Sequence, residues 1–356
     1  MKPAVLILQN DIMAYRKPLY NGLAEFFRVV VVHVGKPSLA AGDRYEEVIL
    51  PLRQVGPFRL LRGFPQAVSG IQPVAVVGMF DLRWPQYLTR WTVPKVRRFL
   101  LWGHRYSGRR AANWLRDRIM AWADGIILYG TEDLAALKAR GYPAERIFFA
   151  NNTMAIGNHR DTSGEAKSSF LYVGRLQERK ALDRFLAAFA GIRDKLPPDC
   201  RFDIVGDGEA RAPLEAAANR LGIAERVVFH GKVLDEDRLA TIFSRAYAYV
   251  SDNVGLAVLH SFAYGVPLIT LASRGPGRTN FRHGPEFQNL RHGENAVICN
   301  SDAEIADGMV RMVCEPGFAR ELGSNGYRLY AQERLMAHMV AGFCAALEGR
   351  CPPAPS

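Results

Sequence analysis

The chain is poor in the features that would place it in several common classes. It has five cysteines in 356 residues. That is an odd number with no C-x-x-C pair, so Cys200, Cys299, Cys314, Cys344 and Cys351 are read as reduced structural thiols, with neither a disulfide framework nor a zinc site. No apolar run approaches a membrane span, and the first apolar strand is too short for a secretory signal, so a cytoplasmic location is expected. No G-x-G-x-x-G opens a helix behind an early strand, which argues against a dinucleotide-dependent dehydrogenase. Acids are scarce in one region: from Arg53 to Arg118 only Asp81 and Asp117 oppose a long series of arginines, in a chain of net charge +11. Phe58, Phe64, Trp84, Tyr87 and Trp91 are interleaved with them. No nucleic-acid fold signature accompanies this stretch, so no nucleic-acid partner is expected. It suits an anionic membrane surface, with a plain solvated face as the other reading.

What is present is an alternation of short, fully apolar strands with amphipathic helices, run twice. Buried parallel strands read this way because both faces of the sheet are covered. The expected fold class is α/β, two Rossmann-like domains facing across a cleft. Residues 1–155 form the first, 156–169 a polar, turn-rich linker, and 170–330 the second. Residues 331–356 supply a last helix, expected to pack back on the first domain, and a Pro-rich tail.

The stretch around Gly255 organises the chemistry. Tyr249 and Val250 end a strand, Ser251 to Val254 form a polar turn, and Leu256, Leu259 and Phe262 follow at helical spacing. A strand–turn–helix of this kind points free amides at the crevice beyond the strand ends, where the dipole favours an anion, and Gly255 lets a ligand approach the backbone. A second strand ends in Val173-Gly174-Arg175 and runs on to Lys180 at the next helix start. Two cations converging with that helix start could neutralise a leaving diphosphate without a metal, although either alone is ordinary surface charge. Asp235-Glu236-Asp237 fits a D-x-D metal pattern but opens a helix, so it is read as an N-cap and no metal or other cofactor is expected.

The ordered motifs GRLQERKALDRFLAAF, FDIVGDGEARAPLEAAANRLGIAERVVFHGKV and DEDRLATIFSRAYAYVSDNVGLAVLHSFAYGVPLI resemble the C-terminal half of family-four glycosyltransferases, retaining enzymes of the GT-B fold that use nucleotide sugars. The likeness covers about Phe170 to Leu271 well and the first half loosely. It implies that Arg175 and Lys180 grip the donor diphosphate, and that Gly174, Gly206, Asp207, Gly208, Gly231, Lys232 and Val233 line the donor pocket. By the same likeness the turn Asn253-Val254-Gly255-Leu256, with Ser261 behind it, holds the phosphate. The family carries two glutamates eight positions apart, where this chain has Asp252 and His260. A shorter acid at Asp252 can still accept sugar hydroxyls, whereas a neutral imidazole at His260 cannot accept two ribose hydroxyls as a carboxylate can. A core histidine is the alternative there. Glu286, in the GPEF that follows NVGLAVLHS, is the candidate replacement carboxylate; this form resembles a branch seen in bacterial polysaccharide assembly.

By the same resemblance His104 positions the donor sugar. Asn10 and Asp11, behind the first strand, are placed to meet an acceptor hydroxyl, with an Asx turn as the competing reading. The expected activity is sugar transfer from a nucleoside diphosphate sugar to a saccharide or lipid-linked acceptor, at the inner face of a membrane. A non-hydrolysing nucleotide-sugar epimerase and an inactive nucleotide- or glycan-binding protein are the alternatives.

Overall fold

The computed structural model describes residues 1–88, 93, 96–103, 109–131, 133–177, 181–272 and 283–350. The chain divides into two units, Met1–Ala155 with Leu335–Ser356, and Ile156–Arg334.

The first unit opens with β1 (Ala4–Leu8), α1 (Lys17–Leu23), β2 (Arg28–His33) and β3 (Glu46–Ile49). The hairpin β4 (Leu52–Val55) and β5 (Phe58–Leu61), the short α2 (Phe64–Val68), β6 (Ala75–Met79) and β7 (Arg98–Trp102) follow. Then come α3 (Arg110–Trp122), β8 (Gly125–Leu128), α4 (Leu134–Ala139) and β9 (Ile147–Phe149). Seven strands form one sheet in the order β3-β2-β1-β6-β7-β8-β9, with every neighbouring pair parallel. Val29 to Val32 and Val5 to Leu8 are almost completely buried, as strands covered on both faces must be. The antiparallel β4–β5 pair stands apart from that sheet. It was not foreseen: its turn signal, Gly56-Pro57, is present, but Leu52, Val55 and Phe58 are exposed and give no inward-facing alternation. A 3-10 turn at Ala14–Arg16 precedes the short α1.

In the second unit β10 (Ser169–Val173), α5 (Leu182–Gly191), β11 (Arg201–Val205), α6 (Arg211–Arg220) and β12 (Val227–Gly231) lead to α7 (Glu236–Ser244). There follow β13 (Ala246–Ser251), α8 (Ala257–Ala263), β14 (Leu268–Leu271), β15 (Ala296–Cys299), α9 (Asp302–Cys314) and α10 (Pro316–Glu333). Its six strands take the order β12-β11-β10-β13-β14-β15. Phe170, Phe185, Phe189 and Phe202 form the centre of its core. Segment 156–169, read from composition as a linker, is packed onto this unit: the Thr162 hydroxyl donates to the Tyr264 carbonyl at 2.6 Å. Lys167 donates to the carbonyls of Thr162 and Ser244, each at 2.8 Å. Burial lowers the Lys167 pKa to about 8.

The last helix, α11 (Met336–Glu348), belongs to the first unit. Met339, Phe343 and Leu347 enter its core, and the Phe343 ring meets Trp102 edge-on at 4.8 Å. Arg16 is buried in the same unit, with its guanidinium 4.7 Å from the Trp102 ring, 4.9 Å from Tyr15 and 5.3 Å from Tyr129.

Candidate functional site

Three neighbouring strands of the second unit end level with one another. Val173 of β10 pairs with Val205 of β11, and Val205 pairs with Gly231 of β12. Beyond these ends the loops enclose a cavity of 680 Å³, lined by Val173, Gly174, Arg175, the run Val205 to Gly208, and Lys232 to Leu234. Backbone hydrogen bonds lace the loops together: Gly174 N to Val205 O at 2.9 Å, Leu176 N to Asp207 O at 3.0 Å and Gly206 N to Gly231 O at 2.8 Å.

The glycines have a packing reason that spacing alone does not show. A Cβ on Gly206 would lie 1.9 Å from the Gly174 carbonyl oxygen, and one on Gly208 would lie 2.1 Å from that of Leu176. Their φ angles, +135° and +154°, are ones an L side chain rarely adopts. Glycine at both positions lets two strand-end loops touch, and the touching loops form one wall of the cavity.

Two cations line the cavity. Arg175 and Lys232 are both exposed and line the same cavity. No ion pair involves either among the described residues. The resemblance put Lys232 in the donor pocket; lining the same cavity as Arg175, it is a second positive charge over that hollow. The Asp207 carboxylate is turned back to its own loop, accepting from the Gly208 amide at 2.9 Å.

The Gly255 turn lies behind β13. A Cβ on Gly255 would meet nothing within 4 Å, so the fold does not itself demand glycine there. Ser251 Oγ donates to the Asn253 carbonyl at 3.0 Å, and the Val254 amide donates to His283 Nδ1 at 3.2 Å. The helix begins at Ala257, later than the sequence pattern suggests, with Leu256 as N-cap. Asp252 is 2% exposed, and its Oδ2 accepts from the Ala181 amide at 2.9 Å. It therefore ties the Gly255 turn to the loop that follows β10. Glu286 is 3% exposed and packs beside Gly284, whose amide donates to the Val254 carbonyl at 2.7 Å. Asp252 and Glu286 thus flank the Gly255 turn, although none of these residues lines the cavity around Arg175.

His260 and Ser261 are elsewhere. The His260 ring stacks on Phe243 with centroids 5.8 Å apart and planes at 20°, and its Nε2 is buried without a hydrogen-bond partner. Desolvation lowers its pKa to about 4, so it is a neutral core imidazole at ordinary pH. Ser261 Oγ donates to the Val258 carbonyl at 2.9 Å inside the same helix. Asp235 accepts from the Arg238 amide at 2.6 Å, the geometry of an N-cap. In the first unit Asn10 Oδ1 accepts from the Asp11 amide at 3.0 Å, and Asp11 Oδ1 accepts from the Ile12 amide at 2.8 Å; both carboxamide and carboxylate shape their own turn. His104 and Lys180 lie outside the described residues.

Known proteins share this fold. The fold is that of the GT-B glycosyltransferases: the chain superposes on Anabaena Alr3699/HepE, solved in complex with UDP, with a TM-score of 0.71 and 14% identity over 98% of this chain and 100% of that one. A second solved structure, WaaG, a glycosyltransferase involved in lipopolysaccharide biosynthesis, gives a TM-score of 0.63 and 14% identity over 97% and 100% of the two chains. Within that fold, residues 167–315 match the family described as glycosyl transferases group 1, and they contain every residue of the cavity. Among curated relatives, the lipopolysaccharide core biosynthesis glycosyltransferase LpsE of Rhizobium meliloti is 28% identical over 159 residues, 44% of this chain and 42% of that protein. An α-1,4-N-acetyl-D-galactosaminyltransferase of Campylobacter jejuni, named for a diNAcBac-PP-undecaprenol-linked acceptor, is 25% identical over 170 residues, 46% and 44% of the two chains. The chain spans less than half the length of these relatives.

Proposed function

We propose that this protein transfers a sugar from a nucleoside diphosphate sugar to a hydroxyl of a saccharide or lipid-linked saccharide, in polysaccharide or lipopolysaccharide-type biosynthesis. The observation that carries the reading is the cavity at the ends of β10, β11 and β12, where Arg175 and Lys232 present positive charge inside the segment matching the glycosyl transferases group 1 family. A nucleoside fits against the Gly206–Gly208 wall and its diphosphate runs across the two cations. Arg175 has the planar fork that suits phosphate oxygens, and Lys232 adds a point charge. By the family resemblance, Lys180 is assigned to the same diphosphate.

In the reaction the bond from the anomeric carbon to the β-phosphate oxygen breaks, and the acceptor oxygen bonds that carbon on the same face. The acceptor's proton passes to the departing diphosphate. Negative charge grows on that diphosphate as the bond breaks, so fixed cations beside it lower the barrier. Retention needs no enzyme nucleophile in this scheme, and side chains take the charge-neutralising role that a metal plays elsewhere. Asp252 and Glu286 flank the Gly255 turn and are assigned to positioning the donor sugar.

The test is a turnover assay across UDP-, GDP- and ADP-sugars with lipid-linked and free saccharide acceptors. Release of nucleoside diphosphate that requires an acceptor, and that falls about a hundredfold or more in Arg175→Ala, is expected from loss of transition-state charge stabilisation. An isomerised sugar from donor alone, or donor binding with no release under any acceptor, would refute the reading.

A further inference from the structure

One buried cation of the first unit lacks a counter-ion. Arg16 sits on the connection from β1 to α1 and is 8% exposed. Cations close to it in sequence are paired: Lys17 with Asp43 at 2.9 Å, and Arg28 with Glu46 through Nε and Nη2 at 2.7 and 2.8 Å. The Arg16 guanidinium lies instead among the rings of Tyr15, Trp102 and Tyr129. Among the described residues its one polar contact is Nη1, which donates to Met339 Sδ at 3.9 Å, and no carboxylate pairs with it. Ring faces attract a cation but do not satisfy its N–H groups as an oxygen does. An arginine withdrawn from water without an anion is costly to hold.

The unused edge of this guanidinium is within reach of a ligand. Nε and Nη2 have no partner, and unlike Trp102 Nε1 neither is sealed from solvent. They are the parallel pair of donors that Arg28 turns on Glu46, and that pair matches two oxygens of one carboxylate or phosphate. The place is one where open α/β sheets hold ligands. Strand order reverses between β1 and β6, so the connection leaving β1 borders the crevice beyond the strand ends. Trp102 ends β7, paired with Met79 of β6 and Ile127 of β8, and Tyr129 follows Ile127 by two residues on the same face. Tyr15 and Tyr129 are half-buried and keep some surface open beside the cation.

We infer that Arg16 selects an acidic acceptor: its Nε and Nη2 take an oxyanion carried by the acceptor saccharide, which lies against Tyr15 and Tyr129. That the ligand is the acceptor rests on the transferase reading; that the site takes an oxyanion does not. A sugar carboxylate and a sugar phosphate offer the same pair of oxygens to this edge, whereas a neutral sugar leaves the guanidinium without its anion.

The experiment is titration of the full chain, followed by NMR and without donor, with methyl glucoside, methyl glucuronide and glucose 1-phosphate. Carrying Arg175→Ala and Lys232→Ala throughout keeps the phosphate off the donor cavity. At least one of the two anions is expected to bind about tenfold or more tightly than the neutral glucoside, the worth of hydrogen bonds to a charged group. Preference for the glucuronide puts the oxyanion on a sugar carboxylate, and preference for glucose 1-phosphate puts it on a phosphate at the sugar's reducing end. Arg16→Met abolishes the preference and leaves glucoside affinity within about twofold, because a neutral ligand gains little from the charge. Tyr15→Glu, at a partly open position, gives Arg16 an internal carboxylate and removes the preference with the arginine kept, so the test survives if Arg16→Met does not fold. Equal affinity for all three ligands, no binding of either anion, or a preference that persists in a folded variant overturns the inference. Transfer to neutral and acidic acceptors with equal kcat/KM overturns it too and leaves the transferase reading intact. The expected preference in a chain that releases no nucleoside diphosphate retires the transferase reading and leaves the oxyanion site standing.

Discussion

If Arg175 and Lys232 hold a diphosphate, removing them should weaken a nucleoside diphosphate and spare the nucleoside. Both side chains are exposed, so solvent screening puts each contact at the low end of the range for hydrogen bonds to charged groups, about 1.5 kcal/mol. That corresponds to about a tenfold loss of affinity for each single alanine variant. Because both cations line one cavity, a shared diphosphate couples them, and the double variant should depart from additivity by about 0.5 kcal/mol or more. Isothermal titration with UDP and with uridine, at low and raised salt, separates the contributions. UDP binding weakens with each substitution and with salt, and uridine binding stays within about twofold, as expected for a neutral ligand. Equal losses for UDP and uridine would refute the reasoning, because they would point to a collapsed pocket. An unchanged UDP affinity would remove the cations from the site altogether.

The glycines make a contrasting pair. Gly208→Ala drives a Cβ to 2.1 Å from the Leu176 carbonyl oxygen and is expected to cost about 1–3 kcal/mol in urea unfolding, with UDP binding lost as the loops part. Gly255→Ala puts its Cβ in open space, so stability should hold within about 0.5 kcal/mol while UDP affinity falls. His260 predicts a pH dependence: its pKa is lowered to about 4 from an ordinary value of about 6.5. Between those values the unfolded chain binds more protons than the folded one, so the full contribution is present above about 6.5 and is lost on acidification, reaching about 2 kcal/mol at about pH 5. Urea midpoints should show His260→Phe with a shallower acid slope than the wild type; parallel slopes would contradict the burial of a neutral ring.

Much of the fold was legible in the residues, for physical reasons. Strands such as Leu268–Leu271 and Ile147–Phe149 are buried on both faces, so unbroken apolar runs marked them. Helix starts were less legible: α8 begins at Ala257 because the turn continues through Leu256, and glycine and leucine carry no stop signal there. The 156–169 segment looked like a linker because it is polar, yet Thr162 is fully buried by a hydrogen bond to a carbonyl more than a hundred residues away. No local pattern encodes such a partner. At the site, the order of strand-end glycines was visible, but their cause was not: Gly206 and Gly208 face the backbone of the neighbouring loop. The placing of Lys232 and Arg175 on one cavity and the burial of His260 against Phe243 likewise depend on tertiary neighbours.

The central claim is that the hollow beyond β10, β11 and β12 receives the donor's diphosphate. Glycine-selective ¹⁵N labelling tests it most directly, because Gly174, Gly206 and Gly208 line the hollow and Gly255 stands at the adjoining turn. Titration with UDP should move these four amide resonances together, saturating with one affinity, and leave Gly22 and Gly125 of the other unit in place. Resonances that stay fixed in the hollow while glycines of residues 1–155 shift would contradict the account.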